Sequence, residues 1–526
     1  MSRSAIMVVL AVVLLAAPAT AHDKVGTVSF PTSCSPAVQA DFDRAVALLH
    51  SFAFQGSTRG FQAVAERDPR CAMAHWGIAM NALGNPFAWP PSAKGLADGS
   101  AAIERAQAIG APTPRERDYI AALAAFYRDH QTVDHRTRAV AYERAMEQLA
   151  ARYPADREAA VFHALALNAV ALPSDKTYAN QLRAAAILER IFAEQPEHPG
   201  VAHYLIHSYD YPPIAERGLH AARRYAGIAP AAPHALHMPS HIFTRRGHWE
   251  ESIASNRASA AAATNDFDRL HAMDYLAYAH LQRAEDGEAR KVLEAMTAVG
   301  KPNVEHFVTA YALAAIPSRY ALERGDWAEA ARLALPLRDT FPWARFPQSE
   351  AVLVFARGLG AARHGDAAAA RRDAERLVAL RDQLATATQP YWAEQVEIQR
   401  RVVEAWATWA EGRRDAAVGA LRAAADMEDA TEKHPVTPGP IVPARELLGE
   451  ILLEAGRPAE ALRELEASMA IEPNRFRALA AAARAATAAG DTAKARDYHG
   501  RLVALAGSGA SERPELREAR RLLGGR

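Results

Sequence analysis

Cysteine is nearly missing from these 526 residues: Cys34 and Cys71 are the only two, so the chain can close one disulfide at most. An excess charge of either sign is missing too. Lys plus Arg and Asp plus Glu stand at 61 each, with no long run of one sign, which leaves bulk attraction to nucleic acid or anionic lipid without a basis. Aromatic residues are 7% of the chain, while alanine is abundant. That balance favours close-packed helices over strands, because alanine is the best helix former and strands draw on branched and aromatic side chains. Beyond the N-terminus no apolar run is long enough to cross a bilayer. Nucleophile elbows, H-E-x-x-H, phosphate loops and a G-x-G-x-x-G opening a helix after a strand are all absent, which disfavours the usual hydrolases and nucleotide enzymes.

What is present begins with an export signal. Arg3 supplies the positive end, Ala5 to Ala17 the apolar run, and Ala19-Thr20-Ala21 a small-x-small cleavage site. The run is short for a membrane span, and no cysteine follows it to carry a lipid anchor. Residues 1–21 therefore read as a signal peptide, with the mature chain starting at His22 in the periplasm or outside the cell. In that oxidising setting a Cys34–Cys71 disulfide is expected, ahead of two free thiols or metal ligands.

The body of the chain is periodic. "RELLGEILLEAGRPAEALRELEASMAIEPNRFRAL" from Arg445 reads as helix, tight turn, helix, and the next unit repeats it with "AAGDTAKAR". Gly456 and Gly490 are 34 residues apart, as are Ala461 and Ala495. Related turns occur at Gly247, Gly325, Gly365 and Gly412, at spacings that drift upward. On this punctuation the chain resembles the tetratricopeptide repeat family over nearly its whole mature length. "CAMAHWGIAM", "HMPSHIF" and "TEKHPVTPGPIVPARELLGE" are further similar to a group of long exported bacterial members, a likeness that implies no particular activity.

The resemblance implies an all-α, right-handed solenoid of stacked helix pairs, whose concave groove takes a protein, a peptide or a small molecule. Residues 22–428 read as the irregular superhelix and 429–443 as a proline-rich linker. Residues 444–505 read as a C-terminal repeat pair and 506–526 as a terminal capping helix.

One segment stands out chemically. Eight of the 20 histidines lie between His198 and His248. His203 and His237 are 34 apart, and so are His207 and His241. Within each pair the i, i+4 spacing puts both rings on one helix face. In the repeat family the fifth and ninth positions of the first helix point into the groove, so the resemblance places these four histidines there. His203, His207, His237 and His241, with His234 as fifth ligand, are thus the candidate metal site; zinc is the default ion, and copper or nickel also suits imidazole.

Asp210 is a candidate carboxylate ligand or acid–base group, Arg245 a candidate anion clamp, and His271 with Asp274 an extension of the polar groove. The blander alternatives are neutral surface histidines, a site for peptide carboxylates, or a pH sensor. Two function classes follow: a binding scaffold that carries a metal, or a metal-dependent enzyme using the same cluster. Pro239 either kinks a helix, to aim His237 and His241, or opens a new one. His22 reads as a frayed terminus, His50 and His75 as partly buried, and His434, beside Glu432, as a solvated loop residue.

Overall fold

The structure is a computed structural model describing residues 23–506, 511 and 513–524; the expected signal segment and His22 lie outside the described residues. Among the described residues there are helices and no strands. The C-terminal hairpins show how the sequence produces them. Helices Ala444–Glu454 and Pro458–Ile471 are joined at Gly456, and Phe476–Ala488 and Thr492–Ala506 at Gly490. These glycines adopt φ of +74° and +79°, the left-handed conformation that ends a helix and reverses the chain within two or three residues. The four other glycines expected to make turns have positive φ as well. Ala461 and Ala495 are buried at the same position of consecutive hairpins, where a small side chain lets two helices approach closely.

Each helix packs mainly on the next and on the one after it, which makes the chain an α-solenoid of the tetratricopeptide type. No described helix is long and apolar enough to cross a membrane. The curl is tight: Gln39–His50 touches Pro199–Tyr209, and Asp266–Gln282 touches Phe476–Ala488. Two large hydrophobic cores result, one running from Val25 to Phe243 and the other from Trp249 to Ala519. They meet at the histidine-rich stretch.

The Asp429–Pro443 segment, expected to be a linker, runs inside the curve instead. Four prolines strip it of backbone donors and leave bare carbonyls. Arg319 donates to the carbonyls of Gly439 and Pro440 at 2.9 Å each, and Tyr275 to that of Val436 at 3.3 Å. A buried chain without helix or strand needs such donors to avoid orphaned acceptors. His434 is correspondingly not solvated: its ring stacks on Trp392 with centroids 4.8 Å apart.

Cys34 and Cys71 form a disulfide across the first hairpin, 37 residues apart with Cα atoms 4.8 Å from each other. Opening a loop of that length removes about 4 kcal/mol in the chain-entropy account. Cys34→Ser/Cys71→Ser is therefore expected to lose about 3–4 kcal/mol in urea unfolding, with the helical circular dichroism of the folded state unchanged.

Candidate metal centre

Three consecutive layers of the solenoid supply the histidines. Helix Pro199–Tyr209 carries His203 and His207; Pro233–His237 and Pro239–Arg245 carry His234, His237 and His241; Asp266–Gln282 carries His271. The middle layer is two short helices, because Pro239 has no N–H to donate and opens a new helix after Met238. Met238 between them keeps helical angles (φ −53°, ψ −35°) and donates to the carbonyl of His234, so the interruption is the one hydrogen bond that Pro239 cannot make.

The six imidazoles sort into two triads. His203, His207 and His234 each offer a nitrogen within 4.8 Å of the other two, and so do His237, His241 and His271. This differs from the expected arrangement of two facing pairs around one ion, with His234 as a fifth ligand. Each i, i+4 pair is instead completed by an imidazole from the following layer. His271 is the residue whose weight the sequence reading underrated. It stands 34 residues after His237, in phase with His203, and that spacing was the available signal. Tyr275, 34 after His241, takes the place of a further histidine.

Hydrogen bonds fix the tautomers. His203 Nδ1 donates to the carbonyl of His50 at 2.6 Å. His237 Nδ1 donates to Asn256 Oδ1 at 2.7 Å; Asn256 Nδ2 donates to Ser252 O at 2.8 Å, which identifies Oδ1 as the acceptor. His241 Nδ1 donates to Asp210 Oδ2 at 3.0 Å. With Nδ1 carrying the proton in all three, Nε2 presents a lone pair. Yet the Nε2 atoms of His237 and His241 are 3.0 Å apart, and His203 Nε2 lies 3.2 Å from His234 Nε2. His207 Nε2 is buried with no hydrogen-bond partner.

The His234 Nε2–H can donate to His203, but the lone pairs of His237 and His241 face each other, and in a dry interior they repel unless a proton or a cation lies between them. Two nitrogens bound to one ion at about 2.0–2.1 Å, subtending ordinary angles, stand about 3.0–3.4 Å apart. A carboxylate or carbonyl behind a ligating histidine is also the usual outer support of a metal site. Burial, reinforced by neighbouring imidazoles, drives the pKa of His207, His234 and His237 well below the usual 6.5 and that of His203 and His271 to about 3. The rings are thus in the neutral form that binds metal.

Asp210 serves the second triad from behind. Its carboxylate accepts from His241, from Arg245 Nε at 2.9 Å and from Lys433 Nζ at 2.8 Å. Burial alone would raise its pKa, but Lys433, Arg245 and His241 outweigh burial and hold it well below the carboxylate range. Arg245 also donates to the Asp210 carbonyl at 3.1 Å. Aromatic rings cover the first triad: Phe87 stacks on His207 at 3.6 Å, and Phe52 meets His203 at 4.4 Å and stacks on His234 at 5.4 Å. Phe52 holds φ of +52°, a strained conformation for a bulky side chain and one that recurs at functional sites. Neither phenylalanine was legible as part of a site.

A third group, His50, Glu158 and His198, has the same residue types but a different chemistry. His50 Nε2 and His198 Nε2 each donate to Glu158, at 2.8 and 2.7 Å. His50 Nδ1 accepts from Tyr204 Oη at 2.9 Å, and His198 Nδ1 accepts from Val201 N at 3.2 Å. Every ring nitrogen is satisfied, so the group braces the fold. It fixes the His50 carbonyl that orients His203. Gly200 is part of the bracing, since a Cβ there would lie 2.5 Å from His50 Nδ1. Gly200→Ala is expected to lower stability by about 1–3 kcal/mol and to weaken metal binding at the first triad more than at the second, as read by titration of each triad's variant.

Beyond Arg245 and Lys433 the groove opens into a chamber of about 230 Å³, walled by Tyr311, Tyr391, Trp392, Val352, Phe355 and Ile441. The residue 429–443 segment separates it from the histidines.

No known protein family's profile matches the chain, and no curated protein matches it. Among solved structures, the human IFIT1 dimer with PPP-AAAA is similar at 11% identity over 83% of this chain and 91% of that one, with a TM-score of 0.41. The human IFIT1 dimer with m7Gppp-AAAA is similar at 13% identity over 83% and 90%, TM-score 0.37. The Cut9–Hcn1 hetero-tetramer of APC/C is similar at 11% identity over 92% and 96%, TM-score 0.29. These likenesses are remote; the fold rests on the hairpins described above.

Proposed function

We propose that the protein is an exported helical-repeat scaffold that binds transition-metal ions through His203, His207, His234, His237, His241 and His271. Zinc, copper and nickel all suit imidazole, with zinc the default. One observation carries the reading. His237 and His241 both have Nδ1 committed to oxygen acceptors, and their Nε2 lone pairs face each other 3.0 Å apart. The export half of the proposal rests on the character of residues 1–21 and on the disulfide, which suits an oxidising compartment. The chamber beside Arg245 suits a small molecule better than a peptide, because the residue 429–443 segment fills much of the groove.

The two triads, each offering three histidines and so leaving a coordination position open, also favour a second reading, a metal-dependent enzyme. In it Asp210 and Arg245 would be positioning residues, since Arg245 is already bound to Asp210 and Asp210 also to Lys433 and His241.

Elemental analysis of protein recovered through its own export route tests the metal reading. The wild type is expected to retain stoichiometric metal after dialysis, and His207→Ala/His241→Ala to retain at least tenfold less. Equal, negligible metal in both proteins would overturn it.

A further inference from the structure

We infer that the two triads are filled together, by two copper ions that share one small bridging ligand and, when reduced, take up dioxygen between them. The inference rests on the metal-binding reading above and goes beyond it in number, identity and reactivity.

The number follows from geometry. Each triad is a complete three-nitrogen set, and the triads adjoin. The rings of His207 and His241 have centroids 5.8 Å apart, and those of His234 and His237 6.0 Å apart. An ion sits about 2 Å from its nitrogens, so two ions bound by rings this close lie within reach of one common ligand. His234 and His237 come from one short helix, so neither triad can move without the other.

The identity follows from charge. All six donors are neutral imidazoles, and no carboxylate belongs to either triad. The nearest, Asp210, faces His241 Nδ1, and its charge is already met by Arg245 and Lys433. Two divalent ions would bring four positive charges into a buried site with no carboxylate among its ligands. Two monovalent ions bring half as many, and the penalty for burying charge is steep. Copper(I) is stable with three nitrogen ligands. Zinc would complete its tetrahedron with a water or hydroxide, as three-histidine zinc sites do, whereas copper(I) needs no fourth ligand and brings one charge instead of two.

The ligand follows from access. Phe52, Phe87 and Tyr275 crowd the cluster, with Tyr275 Oη 3.4 Å from His241 Nε2. Only a very small molecule fits between the ions. The reaction balances without another reagent: each copper(I) gives one electron, dioxygen accepts both as it becomes a bridging peroxide, and two copper(II) ions result. No proton moves, and release of dioxygen reverses the step.

The mature full-length chain is titrated with copper(I) under anaerobic conditions against a competing chelator, then exposed to dioxygen. Two copper ions per chain are expected. The oxygenated protein should show a new near-ultraviolet charge-transfer band and less than a tenth of the electron paramagnetic resonance intensity of two isolated copper(II) ions. His207→Gln and His271→Gln, one in each triad, should each retain one ion, show no charge-transfer band with dioxygen, and give the full signal of one isolated copper(II) after oxidation with ferricyanide. Circular dichroism confirms that each variant is folded, and His207→Asn and His271→Asn serve as replacements where one is not.

No bound metal of any kind overturns both this inference and the reading beneath it. One ion per chain, two ions with undiminished signals, or a preference for zinc in direct competition leaves the metal-binding reading intact and overturns the copper pair.

Discussion

Asp210→Ala is expected to destabilise the folded chain by at least about 5 kcal/mol and to lower metal affinity at the second triad at the same time. The size comes from what the carboxylate leaves behind. Arg245 and Lys433 have side chains only 3% and 4% exposed, and both neutralise their charge on Asp210. Removing one member of a buried ion pair costs about 3–5 kcal/mol, because the survivor is left charged in a poor solvent. Here one substitution strands two survivors. Arg245 keeps looser contacts at 3.6 Å to Glu472 and 3.8 Å to Glu432, while Asp210 is the one carboxylate partner of Lys433 among the described residues.

The double variant Asp210→Ala/Lys433→Met separates the causes. It removes one stranded charge, so it should recover about half of the lost stability, as read by urea unfolding. It should recover none of the metal affinity, because the Nδ1 of His241 still lacks its acceptor. Loss of an outer acceptor of this kind typically weakens a metal site 10–100-fold. A single variant as stable as wild type would mean that the three side chains do not meet as described.

The same cluster shows what a sequence can and cannot reveal. Gly456 and Gly490 were legible because a helix turn is a local requirement: the chain needs φ near +75° at that point, and glycine meets it without strain. The phase of His203 with His237, and of His207 with His241, was legible because a repeat copies its register. How the six rings divide was not legible. That depends on where each side chain reaches between layers, and on Pro239 splitting one helix into two, which changes which layer His234 meets. The fate of residues 429–443 was hidden for another reason. Prolines signal the absence of helix equally well in a solvated linker and in a buried strap, and only the donors that cap the strap distinguish them. Arg319 and Tyr275 lie more than 100 residues away in sequence. Phe52 and Phe87 carried no pattern at all, since each reaches the site from a non-periodic turn.

Acidification is expected to unfold the metal-free protein well above the pH at which carboxylates titrate. His203, His271 and His434 are each held at about 3 by burial, with neighbouring charges adding to it. In the unfolded chain they protonate near 6.5. Between those values the unfolded state binds more protons, so stability is fully present above pH 6.5 and falls as pH drops toward 3. Three such groups give a slope of about 4 kcal/mol per pH unit, and about 6 kcal/mol is lost by pH 5. His207, His234 and His237 are displaced in the same direction and add to it. Buried carboxyls oppose them: desolvation lifts Glu446, Glu472 and Asp274 above their ordinary values. Burial raises Glu428 to about 8, so between about pH 8 and 4.5 the folded state holds a proton there that the unfolded state has released. Glu428 offsets about a third of the three-histidine slope, and the other raised carboxyls offset more of it, against the six displaced imidazoles. The total stability of a folded chain is typically about 5–15 kcal/mol, so the metal-free transition should be complete near pH 5. Bound metal shifts it downward, because the ions compete with protons for the same nitrogens. Circular dichroism across pH 7.5 to 4.5, with and without added copper or zinc, measures both. His237→Gln/His241→Gln should flatten the metal-free slope. If the wild type keeps its fold and constant stability down to pH 5, these imidazoles are not buried and neutral, and the facing lone pairs on which the metal site depends do not exist.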